Sequence, residues 1–224
     1  MLFYAIRSPE DLIRLTEEIG FLPFFKNDIP GFSLAEHTPP ELWFADGVDG
    51  PWEWKGPAAR SGRCAYAKLF RNKAGFVSRA WYPILANYRR DGYDFDARWD
   101  DGLALYKDKD VYDTLERNGS LLSTQLKALA GYGKSGNKGF DTVITRLQMQ
   151  TYVCISDVEY MQDRYGRPYG WGVTRFDTPE RVFGADFLAE AYREKPSDAR
   201  DRIFEHLRAL LPHGDEGTIR KLIG

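Results

Sequence analysis

The chain has 224 residues, a formal net charge of −2 and a calculated pI near 6.0, which excludes a polycation that coats nucleic acid through its total charge. Hydrophobic residues make up 43% of it, enough to build a core for one large domain or two small ones. No run of about 18 apolar residues occurs, and the first residues lack the basic start of a signal peptide. We therefore expect a cytoplasmic protein without a membrane contact.

The first predicted module covers residues 1–101. Ser8-Pro9-Glu10 combines a helix cap, a first-turn proline and an acidic residue, which predicts a helix that Gly20 ends. Residues 23–62 hold many prolines, glycines and aromatic residues, which predicts irregular chain held by buried rings. In the next segment, two strands joined by a basic turn are predicted over Cys64–Phe70 and Gly75–Ser78. A helix capped by Ser78 is predicted to follow and to run through Tyr88.

The second predicted module, residues 102–176, contains three short helical patterns. Val111 and Leu115 lie four residues apart, on one face of the first helix. Ser123 caps the second helix. The third follows a glycine-rich, cationic turn and has apolar residues at the i, i+3, i+4 and i+7 positions of a half-buried helix: Phe140, Val143, Ile144 and Leu147.

Two strands are predicted after the third helix. Thr151–Ile155 is rich in β-branched and aromatic residues, and Tyr169–Phe176 is its predicted partner. The charged segment Asp157–Pro168 joins them and is predicted to be a wing. Three helices followed by such a hairpin predict a winged helix-turn-helix over Val111–Phe176.

The third predicted module, residues 177–224, is helical. Thr178-Pro179-Glu180 repeats the helix-start signal and predicts a helix to about Tyr192. Further helices are predicted over about Asp198–Leu211 and Thr218–Ile223. The predicted fold class is therefore α+β, built from winged helix-turn-helix modules with short β-hairpins and flanking helices.

Charge is unevenly distributed along the chain. The segment from Pro51 to Arg90 contains nine basic residues and one acidic residue, which gives a local net charge of +8. The segment from Asp91 to Asp101 contains five aspartates and one arginine, which gives a local net charge of −4. Basic residues interleaved with aromatic ones favour phosphate contacts and base stacking. The alternative is that these cations pair with the acidic segment just after them and form a solvated surface.

Other chemistries have weaker signals in the sequence. The aspartates between Asp94 and Asp101 lack the central glycine and terminal glutamate of an EF-hand loop. The three histidines form no helical pair with an acid, and no nucleophile elbow or glycine-rich phosphate loop occurs. We expect no metal and no cofactor. Cys64 and Cys154, in two predicted strands, are predicted to be reduced, buried thiols.

Three segments, Arg146–Thr151, Tyr66–Phe70 and Gly75–Arg79, resemble the AlkZ-like winged-helix proteins, within a similarity that covers residues 50–176. That superfamily includes bacterial DNA glycosylases that remove alkylated or crosslinked bases. It also includes shorter AlkZ-related proteins without established activity, which this chain resembles most. The resemblance implies several winged helices around a concave surface, with DNA as the partner.

Enzymatic members of that superfamily carry a Gln-apolar-Gln or Gln-apolar-Asp motif. Gln148-Met149-Gln150 matches it, so the resemblance implies that Gln148 and Gln150 are catalytic. An alkylated base is already a cationic leaving group, and neutral amides that orient a water would suffice. The two amides point the same way only if the chain is extended there, because on a helix they diverge by about 200°. The alternative is that both are exposed polar residues at a helix-to-strand transition.

The candidate phosphate contacts are cations of the basic segment, of the turn before the third helix, of that helix and of the wing: Lys55, Arg60, Arg63, Lys68, Arg71, Lys73, Arg79, Lys134, Lys138, Arg146, Arg164 and Arg167. The outward face of the third helix mixes charges, because Asp141 lies near Lys138. Such a face favours duplex binding without sequence preference. The alternative function is a non-enzymatic winged-helix regulator, or a scaffold that binds a protein partner.

Overall fold

The computed structural model describes residues 4–44, 48–133, 136–166 and 168–224. Its first part contains α1 (Pro9–Ile19), β1 (Phe21–Pro23), α2 (Leu34–His37), α3 (Pro51–Arg60), β2 (Cys64–Phe70), β3 (Lys73–Ser78), α4 (Tyr82–Arg90) and α5 (Phe95–Asp100). The first helix begins as predicted, because Ser8 accepts a hydrogen bond from the N–H of Asp11, and Gly20 ends it with a φ of +80°. The predicted strand pair is confirmed as β2 and β3.

The segment predicted to be irregular, residues 23–62, contains α3, so that prediction is wrong there. Pro51 occupies the first turn, where its missing N–H costs nothing. Pro57 lies inside the helix, but the face that carries Trp54 and Ala58 is buried. Burial of this face against β5, α1 and β2 therefore outweighs the helix-breaking tendency of one proline.

The helix predicted from a Ser78 cap begins instead at Tyr82. Ser78 is still part of β3, where it pairs with Cys64 in the antiparallel register. The chain turns after the strand, and the N–H of Trp81 donates to the carbonyl of Ser78. Ser78 is therefore paired within the sheet and does not cap the helix.

The second part contains α6 (Tyr106–Asn118), β4 (Leu121–Leu122), α7 (Ser123–Leu129), α8 (Phe140–Met149), β5 (Cys154–Gln162) and β6 (Pro168–Asp177). The three predicted helices are confirmed. The strand predicted to begin at Thr151, which is β5, begins later than predicted, because Thr151 has a left-handed backbone conformation with a φ of +65°. It also runs on to Gln162, and β6 begins at Pro168, so about half of the predicted wing loop is strand.

The third part contains α9 (Pro179–Phe183), α10 (Ala185–Ala189), α11 (Pro196–Leu210) and α12 (Glu216–Ile223). The single helix predicted up to Tyr192 is divided, because Gly184 has φ and ψ of 98° and 134°, which no α-helix accommodates. A 3₁₀ turn, Glu190–Arg193, completes the segment. The two later helices are confirmed to within a few residues.

The strands form one antiparallel sheet in the order β1–β3–β2–β5–β6–β4. The sheet continues from β2 to β5 through the pair Tyr66 and Ile155, and β4 closes the far edge against β6. The α+β class is confirmed. The sheet joins strands from the first two predicted modules, and the division at residues 101 and 176 stays a prediction. Within the described ranges, no helix has the length and apolar character needed to cross a bilayer.

Both cysteines are buried and unbridged, as predicted: Cys64 lies in β2 and Cys154 begins β5. Burial raises the pKa of Cys64 to about 12, and it also raises that of Cys154. The thiolate is the reactive form, so we expect neither thiol of the folded protein to react with iodoacetamide at pH 8. Mass spectrometry should show two modified thiols after unfolding in guanidinium. Labelling of the native protein at the same rate as the unfolded one would contradict this burial.

Candidate nucleic-acid interface

An open groove lies between the outer face of α8 and the hairpin formed by β2 and β3. Helix α8 buries the face that carries Phe140, Ile144 and Leu147, which leaves the opposite face to solvent. The groove has a volume of about 500 Å³, and its lining combines cations, amides and hydroxyls with one carboxylate: Lys68, Asn72, Asp141, Thr142, Thr145, Arg146, Met149 and Gln150.

The hairpin turn forms the second wall of this groove. Phe70 pairs with Lys73, so Arg71 and Asn72 are a two-residue loop, and both have positive φ, at +49° and +64°. Such a turn matches the twist of its strands and holds the tip in one conformation. The N–H of Asn72 lies 3.4 Å from Sδ of Met149, which ties the tip to the end of α8.

A second groove of about 560 Å³ continues the first around the amino-terminal end of α8. The two share Asp141 and Thr142. Lys127 and Lys138 line the second groove, and both are exposed. Lys134, another predicted phosphate contact from this turn, lies outside the described residues. In the described part of the chain, the joined grooves are lined by four cationic side chains and one carboxylate.

Gln148 is buried and does not line either groove. Its Oε1 accepts the backbone N–H of Lys68 at 3.0 Å, and its Nε2 donates to the carbonyl of Ile144 at 3.0 Å. The backbone N–H of Lys68 lies on β2 just beyond the pairing of Tyr66 with Ile155. The side-chain amide therefore continues the hydrogen bonding of the sheet edge in place of a strand.

Gln150 lies on the other side of the same helix end. It is half-buried, lines the first groove, and has φ and ψ of −79° and 0°. The backbone is thus still helical between Gln148 and Gln150, and the structure does not bring the two amides together. One faces the interior, and the other faces the groove.

Several candidate cations are held by acids that lie far away in the sequence. Arg60 pairs with Asp157, Arg63 with Glu10 and Glu17, Arg71 with Asp28, and Arg146 with Asp108. In the part of the chain that the structure describes, no ion pair joins the basic segment to the acidic run from Asp91 to Asp101. The salt-bridge alternative, in which the acidic run neutralises the basic segment, is therefore wrong. Most of the acids that pair with the candidate cations lie instead in α1, β5 and α6.

Other candidates contact aromatic rings. Lys55 places its ammonium 4.8 Å from the ring centre of Trp52, and Arg79 packs over Phe183 and Phe187. Arg164 lies over Tyr165 in the turn between β5 and β6. Arg167, another predicted phosphate contact, lies outside the described residues. Lys73 faces a separate cavity beyond the hairpin.

Two arginines of α4, the half-buried Arg89 and the buried Arg90, hold the exit of α8 in place. Arg89 donates to the carbonyl of Met149 at 2.9 Å and to that of Leu69 at 2.5 Å. Arg90 donates to the carbonyl of Thr151 at 2.6 Å and pairs with Glu180 at 2.6 Å. Burial lowers the pKa of Arg89 to about 10, so its guanidinium still stays protonated at neutral pH. In the sequence both residues belong to the basic segment, and nothing in their local context distinguishes them from its exposed cations.

Comparison with known proteins gives one family. The family model described as AlkZ related matches residues 6–224, nearly the whole chain. Neither the curated proteins nor the solved structures contain a significant match. Because the family model covers far more than half of the sequence, the chain belongs to the AlkZ-related family.

Proposed function

We propose that this protein binds duplex DNA without sequence preference through the joined grooves on the outer face of α8. The observation that carries the proposal is the cationic lining of that face, from Lys68 at one end to Lys127 and Lys138 at the other. Membership of the AlkZ-related family, whose superfamily includes DNA glycosylases, supports DNA as the partner.

We also propose that residues 106–177 form a winged helix. The element order supports it: α6, β4, α7, α8, β5 and β6, with β4 paired to β6 and β5 paired to β6. In this arrangement α8 is the third helix, which in helix-turn-helix proteins approaches the DNA. The turn between β5 and β6 would be the wing.

Among the described residues, no acid forms an ion pair with the lysines of the grooves. Nζ of Lys68 donates to the hydroxyl of Thr145 at 3.0 Å, a neutral partner. Lys127 and Lys138 are exposed and have no ion pair among the described residues. A lysine of this kind binds a phosphate as a point charge and releases counterions from the DNA.

The same face is poorly suited to reading bases. Arginine reads guanine by presenting two free donors, but Nε of Arg146 lies 2.9 and 3.1 Å from the two carboxylate oxygens of Asp108. Its terminal nitrogen also bonds Asp108. Asp141 adds a negative charge that repels phosphate. Phosphate contacts without base contacts therefore account best for this lining.

Fluorescence polarisation with a labelled duplex at several salt concentrations tests the proposal. We expect the wild type to bind with a steep salt dependence. The triple variant Lys68→Ala, Lys127→Ala, Lys138→Ala should make the slope of log K against log salt less negative by about 3, because each phosphate contact contributes about 0.9.

The matched control removes three cations elsewhere, the exposed Arg193 and Lys195 and the half-buried Arg200. It changes the net charge by the same amount and should keep the wild-type slope. No binding by the wild type at low salt would refute the proposal. Equal effects of both triple variants would show attraction to the total charge and not to the grooves.

Base excision in the same groove is a second candidate function, and the position of Gln150 favours it. Its amide lines the groove beside Lys68, where it would orient a water towards the sugar carbon of a damaged nucleotide. Both polar atoms of Gln148 are already bonded inside the protein, so we assign this role to Gln150 alone.

An incision assay on alkylated duplex separates an enzyme from a binder. If excision occurs, Gln150→Ala should reduce the rate by at least about 100-fold while it leaves duplex affinity unchanged. If the wild type binds but releases no base under single-turnover conditions, the protein is a non-enzymatic binder and the catalytic assignment of Gln150 is wrong.

A further inference from the structure

A second basic cavity, of about 360 Å³, lies on the side of the hairpin that faces away from α8. Its walls come from three parts of the chain: the loop after β1, the turn between β2 and β3, and helix α12. The residues on which the argument depends are Lys26, Asp28, Phe70, Arg71, Lys73 and Leu222. Three of these are cations and one is an acid.

The charge of this cavity is only partly neutralised. Arg71 pairs with Asp28 at 2.9 Å. Lys26 and Lys73 are exposed and have no ion pair among the described residues. Phe70 and Leu222, which are buried, supply an apolar floor, and an apolar surface beneath the ammonium groups lowers the local dielectric and strengthens their attraction for an anion.

The walls of the cavity are fixed in place before any ligand binds. Asn27 holds the loop after β1 by donating to the carbonyl of Phe32 at 2.7 Å and accepting from the N–H of Ile29 at 2.9 Å. The two-residue turn fixes Arg71, and Asp215 caps α12 through the N–H of Thr218. A prearranged site loses little conformational entropy on binding.

The hairpin therefore separates two cationic surfaces. Lys68 and Asn72 face the groove beside α8, while Arg71 and Lys73 face the second cavity. Phe70 and Lys73 are paired across the hairpin and therefore lie on one face, while the register shift between Lys68 and Phe70 places Lys68 on the other face. Phosphates on both sides of one narrow hairpin are what a nucleic-acid backbone running past its tip would supply.

We propose that this cavity is a second phosphate-binding site for nucleic acid, with Lys26 and Lys73 as its ligands. The inference rests on the proposed function, because it extends the phosphate contacts of the α8 grooves across the hairpin. Arg71 orients the site through its pair with Asp28. The ligand is a phosphodiester of the bound duplex, and a free phosphate ion, which also presents anionic oxygens, is the other source that the test distinguishes.

The test uses the double variant Lys26→Ala, Lys73→Ala, which alters two exposed side chains. Its matched control is Lys195→Ala, Arg200→Ala, at the start of α11 and away from the cavity and grooves. Duplex binding is measured by fluorescence polarisation from low to moderate salt. We expect the slope of log K against log salt to become less negative by about 2 in the double variant and to be unchanged in the control.

The outcomes separate this inference from the proposed function. If the wild type binds duplex and the Lys68, Lys127 and Lys138 triple variant weakens it, but the Lys26 and Lys73 variant does not, the second site is refuted and the α8 grooves stand. If the wild type does not bind duplex at all, both fail. Titration with inorganic phosphate tests whether the cavity binds a free phosphate instead. Binding is monitored through the NMR signals of the backbone amides of residues 26–28 and 71–73. Saturation at low concentration, lost in the double variant without any change in duplex binding, would show a small-molecule site and overturn the nucleic-acid assignment.

Discussion

Replacing Arg90 with methionine is expected to lower the free energy of unfolding by about 3–5 kcal/mol, since the change leaves a buried network without its cation. Arg90 is 1% exposed and joins Glu180, Tyr192 and the backbone of Thr151, with its guanidinium 4.7 Å from the ring centre of Tyr152. Burial acts to lower the pKa of Arg90, but Glu180 and Tyr192 raise it by more, so the cation is stable inside the protein.

Urea unfolding at constant pH measures the effect, and Arg200→Met is the control because Arg200 forms an exposed pair with Asp201. That control should change stability by less than about 0.5 kcal/mol. The double variant Arg90→Met, Glu180→Leu should recover part of the loss, because it removes both charges. A loss below about 1 kcal/mol for Arg90→Met alone would mean that the network does not hold the exit of α8.

Replacing Gln148 with alanine is expected to cost about 2–3 kcal/mol of stability, while Gln150→Ala is expected to change it by less than about 0.5 kcal/mol. The first change leaves the backbone N–H of Lys68 without its acceptor and opens a small cavity where the buried Gln148 contacts β2. The second shortens a half-buried side chain that lines an open groove.

Thermal and urea unfolding of the two alanine variants, measured side by side, test this difference. A destabilised Gln148→Ala protein loses function through unfolding, so its DNA binding is compared with that of Gln150→Ala at a temperature where both are folded. If Gln148→Ala is as stable as the wild type, the amide is not a structural bridge between α8 and β2, and the structural assignment of Gln148 is wrong.

The burial of Gln148 follows from a pattern that the sequence already contains. Gln148 lies four residues after Ile144 and eight after Phe140, so it belongs to the same helical face as both. A polar residue on that face predicts a buried amide with fixed partners. The family motif treats Gln148 and Gln150 as a pair, whereas helical spacing places their side chains on different faces of α8.

Other features of the fold were predictable because their causes are local. The apolar spacing within α8, the cap of α1 and the two strands around a basic turn all arise from neighbouring residues. Helix α3 was missed because Gly56 and Pro57 are local helix breakers, and only packing against strands that follow later in the chain compensates for them.

The partners of the basic side chains were not predictable, because they are set by the tertiary fold. Arg63 binds acids of α1 that lie 46 and 53 residues away, and Arg89 reaches the carbonyl of Ile223, 134 residues along the chain. Charge counted along the sequence suggested the nearest acidic run as the partner. Among the described residues around α8, the fold instead leaves Lys68, Lys127 and Lys138 without an ion pair.

Hydrogen–deuterium exchange of the protein with and without saturating duplex DNA tests the central claim most directly, because it locates the bound surface. We predict slower exchange in peptides that cover the hairpin tip at residues 68–73, the end of α7 with the start of α8, and residues 145–150. Peptides from α11 should exchange at the same rate in both states. Protection confined to α11 or to the exposed apolar segment Leu103–Tyr106, or no protection at all, would contradict a DNA interface along α8.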